Sequence, residues 1–82
     1  MRRRRKTNGS ARALPRLRAL VGANIQLYRA DLGWSQERLG EQSGLSGKFI
    51  GEVERRVKSI SVDSLGRLAR ALRVALPDLV RR

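Results

Sequence analysis

Gln36-Glu37-Arg38-Leu39-Gly40-Glu41-Gln42-Ser43-Gly44-Leu45-Ser46-Gly47-Lys48-Phe49-Ile50-Gly51-Glu52-Val53-Glu54-Arg55 is the stretch that decides the fold. Ser35, just ahead of it, suits a helix N-cap, because its hydroxyl can accept from first-turn amides that lack a helical partner. Gln36 and Glu37 then open a helix, with Leu39 as its apolar contact. Gly44 breaks it after about two turns, where a positive φ is cheap only for glycine. Ser46 is a second cap, and Phe49, Ile50 and Val53 recur at helical steps, so a second short helix is expected from Gly47 to Arg55. Gly40 is small where the two helices must cross closely. Leu39, Leu45, Ile50 and Val53 pin the pair to the rest of the chain.

Upstream, Leu17, Leu20, Val21, Ile25, Tyr28 and Leu32 follow one another by threes and fours with one single step, the mark of an amphipathic helix. Gly33 stops it. Downstream, Arg56-Val57-Lys58-Ser59-Ile60 reads as a loop. Ser61 caps a helix that carries Val62, Leu65, Leu68, Ala69 and Leu72 on one face. Pro77 suits the first turn of a last short helix bearing Leu76, Leu79 and Val80. No segment alternates with period two. The expected fold is therefore all-α, with five short helices around one core. Trp34 is expected in that core.

The chain has 82 residues, enough for one small domain and one modest core, not for a core plus a deep substrate cleft. Nineteen Lys and Arg face seven Asp and Glu, a net charge of +12 that attracts a polyanion, nucleic acid before an anionic membrane. There is no Cys and no His, which excludes thiolate nucleophiles, disulfides and the usual zinc ligands. No paired acids, glycine-rich phosphate loop or nucleophile motif suggests an enzyme, and no cofactor or metal is implied. No run of residues is apolar and long enough for a membrane span.

Residues 1–18 hold eight of the cations and no acid. Residues 1–16 read as a flexible basic arm, with Lys6-Thr7-Asn8-Gly9-Ser10 as linker, and residues 17–82 as the folded domain. Arg2, Arg3, Arg4, Arg5 and Lys6 are candidates to lie along phosphates or in a minor groove. The bland reading is a solubilising tail.

Two short helices at this spacing form a helix-turn-helix, whose second helix can enter a DNA major groove. Over residues 21–80 the chain resembles the Cro/phage-repressor, or XRE, type of domain. The residues that carry the resemblance are Trp34-Ser35-Gln36-Glu37, Leu39-Gly40, Ser43-Gly44-Leu45-Ser46, Phe49 to Arg55, and Ser61-Val62-Asp63-Ser64-Leu65 through Leu68-Ala69-Arg70-Ala71-Leu72. The stretch Lys58 to Leu65 is also similar to the small regulators that control restriction–modification operons. The resemblance implies a five-helix, lambda-repressor-like fold. It also implies a cytoplasmic, nucleoid-associated transcription regulator, a repressor or an activator, that binds double-stranded DNA as a homodimer. A protein-interaction module on the same fold, an antitoxin or adaptor with a protein partner, is the alternative. Gly47 and Glu52 favour it; the net charge and Lys48 oppose it.

In this family the position of Gln36 touches a phosphate, and those of Arg29 and Glu54 form a buried ion pair. Lys48, on the first turn of the second helix, suits guanine O6 and N7 or a phosphate. Glu52 lies one turn on and either accepts from cytosine N4 or pairs with Lys48. Ser46 and Gly47 begin the same helix, and Gly47 offers no side chain to a base. Phe49 meets a thymine methyl or covers the core edge. Arg55, Arg56 and Lys58 follow as backbone contacts. Leu72, Val74, Leu76, Leu79 and Val80 are candidates for the dimer contact. The chain departs from the family pattern at Arg56, where a glycine is usual, at Ile60 for a frequent proline, and at Ala75 for a Ser or Asp cap. Arg56 therefore either takes a left-handed conformation or starts the loop differently.

Overall fold

The computed structural model describes residues 6–82, with side chains described from Pro15 onward. Arg2, Arg3, Arg4 and Arg5 lie outside the described residues. In chain order the elements are α1 (Lys6–Asp31), α2 (Gln36–Ser43), α3 (Gly47–Glu54), α4 (Val62–Leu72) and a 3-10 turn (Leu76–Leu79). The described residues are all-helical, as the apolar spacing requires.

Each short helix is capped where a serine precedes it. The hydroxyls of Ser35, Ser46 and Ser61 accept from the amides of Arg38, Phe49 and Ser64 at 2.9–3.0 Å. Gly44 ends α2 at φ 76°, and its amide donates to the Gly40 carbonyl at 2.8 Å. Arg56 takes the left-handed option, with φ 67°. The expected fifth helix is a single 3-10 turn. Ala75 gives it no side-chain cap, and only the Asp78 carboxylate reaches back, accepting from the Ala75 amide at 3.0 Å.

α1 departs from expectation at its start. It begins at Lys6 rather than Leu17, so the backbone of Lys6–Ser10 is helical and not linker. Ala11, Arg12, Ala13 and Leu14 are good helix formers. Pro15 lies inside the helix and can donate no helical hydrogen bond there.

The core is built from all of these pieces. Ile25, Leu39, Ile50, Leu68 and Leu79 are completely buried, and Val21, Val53, Leu65, Ala69 and Leu72 nearly so. Burying each large aliphatic side chain stabilises the fold by roughly 1.5–3 kcal/mol. Trp34 and Phe49 lean on this cluster half-buried. Leu17, Leu32 and Val62, read as inward-facing, are exposed instead. Leu72 and Leu79 are core residues and leave the set of dimer candidates. Leu79 is drawn under α1 partly by Asn24, whose amide donates to the Leu79 and Arg81 carbonyls at 3.0 and 2.7 Å.

Candidate nucleic-acid interface

α2 and α3 begin at the same place. A cleft of about 490 Å³ is lined by Ser35, Gln36 and Glu37 at the start of α2, Gly47 and Lys48 at the start of α3, and Arg29 of α1. Each helix start carries unpaired amides and the positive end of the helix dipole, so the cleft favours an anion. The approach is tight. A Cβ on Gly47 would sit 3.0–3.2 Å from Glu37 atoms, and one on Gly40 would sit 2.6 Å from the Leu45 carbonyl oxygen. Gly47 is thus the residue that lets α3 press on the first turn of α2, a role the sequence did not disclose.

Behind the cleft, Glu54 locks the geometry. Its side chain is 5% exposed and accepts from Arg29 Nε at 2.8 Å, Arg29 Nη2 at 3.0 Å and Gln36 Nε2 at 2.9 Å. Arg29 also donates through Nη1 to the Trp34 carbonyl at 2.7 Å. The hydrogen bond to Glu54 raises the Arg29 pKa, burial opposes this, and the Glu54 charge adds to the rise. Three helices therefore meet on one carboxylate, and Arg29 ties the α1–α2 loop to it through the Trp34 carbonyl. Gln36 spends one amide N–H on this network, so it is a bracing residue as well as a candidate phosphate contact.

The outward face of α3 carries the remaining candidates. Lys48, Glu52 and Arg55 follow at i, i+4 and i+7, which places them on one stripe. Ile50 and Val53 are buried on the other side. Lys48 and Arg55 are exposed and Glu52 is half-buried. The Lys48–Glu52 pair does not form; the ion pairs among the described residues are Arg29–Glu54, Arg38–Glu41 and Arg81–Asp78. Phe49 packs against the core edge. The Ser46 hydroxyl oxygen is engaged in its cap. Arg56 and Lys58 are exposed on the loop beyond α3, and Lys6 lies in α1, far upstream in the chain.

This arrangement joins two capped helix starts, a glycine crossing and a buried brace across α1 and α3. The signature of the helix-turn-helix family HTH_3 matches residues 25–79. The chain belongs to this XRE-type family of DNA-binding transcription regulators. The helix-turn-helix domain is 39% identical over 64 residues to a hypothetical transcription factor of Neisseria meningitidis, covering 78% of this chain and 60% of that protein. It is 36% identical over 66 residues to the control protein C.SmaI of Serratia marcescens, covering 80% of this chain and 79% of that one. Among solved structures, the Neisseria factor NHTF superposes with a TM-score of 0.77 at 38% identity, over 79% of this chain and 75% of that one. The restriction–modification controller C.AhdI of Aeromonas hydrophila gives 0.73 at 32% identity, over 76% and 94%. These relatives are transcription factors and control proteins, not enzymes. Among the described residues, no helix is long and apolar enough to cross a membrane.

Some residues of interest carried little signal in the sequence. Gly22 lets α1 cross α3, since a Cβ there would sit 2.7 Å from the Val53 carbonyl oxygen. Arg38, Arg67, Arg70 and Arg73 gather beside Trp34. The i, i+3 spacing of Arg67 and Arg70 was the available clue.

Proposed function

We propose that the chain is a sequence-specific regulator of transcription that binds double-stranded DNA as a homodimer and works on the nucleoid in the cytoplasm. The observation that carries this is the outward stripe Lys48–Glu52–Arg55 on a helix held rigidly by the Glu54 network. α3 enters the major groove. Lys48 donates to guanine, Glu52 accepts from cytosine, and Phe49 covers the groove wall. Gln36, Ser46, the amides of the shared cleft, Arg55, Arg56 and Lys58 hold backbone phosphates. Residues 1–16, with Arg2, Arg3, Arg4, Arg5 and Lys6, add an electrostatic arm. One short helix reads few base pairs, and two-fold pairing doubles the reading. Val74, Leu76 and Val80, which retain exposure beside the core, are the surface for that pairing. The likeness to controllers such as C.SmaI supports a regulator that acts by occupying a promoter.

Selection of bound duplexes from a random library tests the reading. The expected product is an inverted repeat whose half-site centres lie about 34 Å apart or a multiple of that. An unenriched library would overturn it. Removing residues 1–10 is expected to flatten the slope of log K against log salt by roughly 2–4 units, while the circular dichroism loses only the first turns of α1, which begins at Lys6, and the other helices persist.

A further inference from the structure

A second basic surface lies on the other flank of α2. A groove of about 530 Å³ between α2 and α4 is lined by Trp34, Arg38, Gln42, Arg67, Arg70 and Arg73, and no acid is among its lining residues. Its direction follows from helix geometry. Glu37 and Gly40 face α3, since they abut Gly47 and Leu45. At about 100° per residue, Arg38 and Gln42 lie roughly 100–160° around α2 from them. The groove therefore opens away from the surface that presents Lys48.

Its charges are not used up within the fold. All four arginines are exposed. Arg38 pairs with exposed Glu41 at 3.5 Å and stacks its guanidinium 5.8 Å from the centre of the Trp34 ring. Among the described residues, Arg67, Arg70 and Arg73 form no ion pair. Arg70 and Arg73 complement the negative end of the α4 dipole. That does not account for Arg67, a turn earlier, or for Arg38 on another helix. Arg73 also holds φ 61°, a conformation that glycine takes more cheaply. Four guanidinium forks gathered in one concavity repel one another until an anion enters, and each matches two oxygens of a phosphate.

We propose that this groove is a second DNA-backbone site. It takes the phosphates of a duplex segment other than the one seated on α3, so that one molecule ties two segments together. The proposal rests on the DNA-regulator reading above, and the test separates the two.

One duplex is tethered to beads and saturated with protein, and a second, fluorescent duplex of unrelated sequence is offered. The wild type is expected to capture the second duplex. The variant R67A/R70A/R73A is expected to capture about tenfold less, while its occupancy of the tethered duplex stays within about twofold. The variant R18A/R81A/R82A removes the same charge elsewhere and is expected to behave as the wild type. Circular dichroism checks the helices, and Arg67→Gln alone, a milder change, is expected to reduce capture in the same direction. Undiminished capture by the groove variants overturns the proposal, as does an equal loss in the charge control. Binding of fluorescent polyglutamate in place of the second duplex also overturns it, and points the groove to an acidic protein. No wild-type binding to the tethered duplex overturns the DNA-regulator reading itself.

Discussion

The α2–α3 pair and the α4–3-10 end share one core but are held in different ways. Between α2 and α3 the backbones nearly touch at Gly40 and Gly47, and a carboxylate 5% exposed collects three hydrogen bonds from two elements. Beyond α4, attachment comes from Leu68, Leu72 and Leu79, with Asn24 pinning the last turn. Hydrogen bonds are directional, so the first region fixes the orientation of α3. Apolar burial is not directional and fixes proximity alone. The proposed role of α3 in meeting base edges calls for the first kind of restraint, whereas a flank that supplies stability can rely on the second.

The largest expected effects set these two regions against each other. Leu79→Ala empties a fully buried site and is expected to destabilise by about 3–4 kcal/mol in denaturant titration. Arg29→Ala leaves buried Glu54 without its cation and is expected to lose about 3 kcal/mol by the same measurement. The two should diverge in DNA affinity, measured at a temperature where both are folded. Leu79→Ala is expected to stay near wild type, and Arg29→Ala to weaken by about tenfold because α3 loses its brace. Equal affinities would break the comparison.

The Arg29 contribution has a defined pH sense. Its raised pKa means that the stabilisation is present below the unfolded-state value and is lost only as pH climbs through the still higher folded-state value. From neutral to mildly alkaline pH, the stability gap between wild type and Arg29→Ala should therefore stay flat.

A smaller effect sharpens the comparison within the helix-turn-helix. α2 and α3 are both followed by a left-handed residue, Gly44 after the first and Arg56 after the second. Gly44→Ala is expected to destabilise by about 1 kcal/mol, and Arg56→Gly to stabilise by up to about 1 kcal/mol, in thermal unfolding. Arg56→Gly should at the same time weaken DNA binding by one phosphate contact. A variant with unchanged stability would show that Arg56 bears no conformational cost.

Much of this was legible before the structure. The serines at 35, 46 and 61 announce three helix starts, Gly44 announces the turn, and the apolar steps announce which faces turn inward. The Arg29–Glu54 pair came through resemblance rather than pattern. What stayed hidden shares a cause: periodicity tells which side of a helix is apolar, not which backbone atoms will approach. Gly47 therefore read only as a position with no side chain to offer a base, and Gly22 drew no notice. Gln36 read as outward-facing because its partner, Glu54, is eighteen residues away. Leu72 and Leu79 read as surplus apolar surface. The return of the last turn beneath α1 depends on Asn24, a contact across 55 residues. The helical start at Lys6 was masked by Gly9 and Pro15, both local signals against a helix.

The central claim is that α3 reads bases through a stripe headed by Lys48. The most direct test is the ratio of affinities for the selected duplex and a random one, by fluorescence anisotropy at fixed salt, for wild type and Lys48→Ala. The wild type is expected to prefer its selected site by about 10³-fold or more. Lys48→Ala should forfeit about 1–3 kcal/mol of that preference while retaining most of its affinity for random duplex. A wild type with no preference, or a variant that weakens equally on both duplexes, would contradict it.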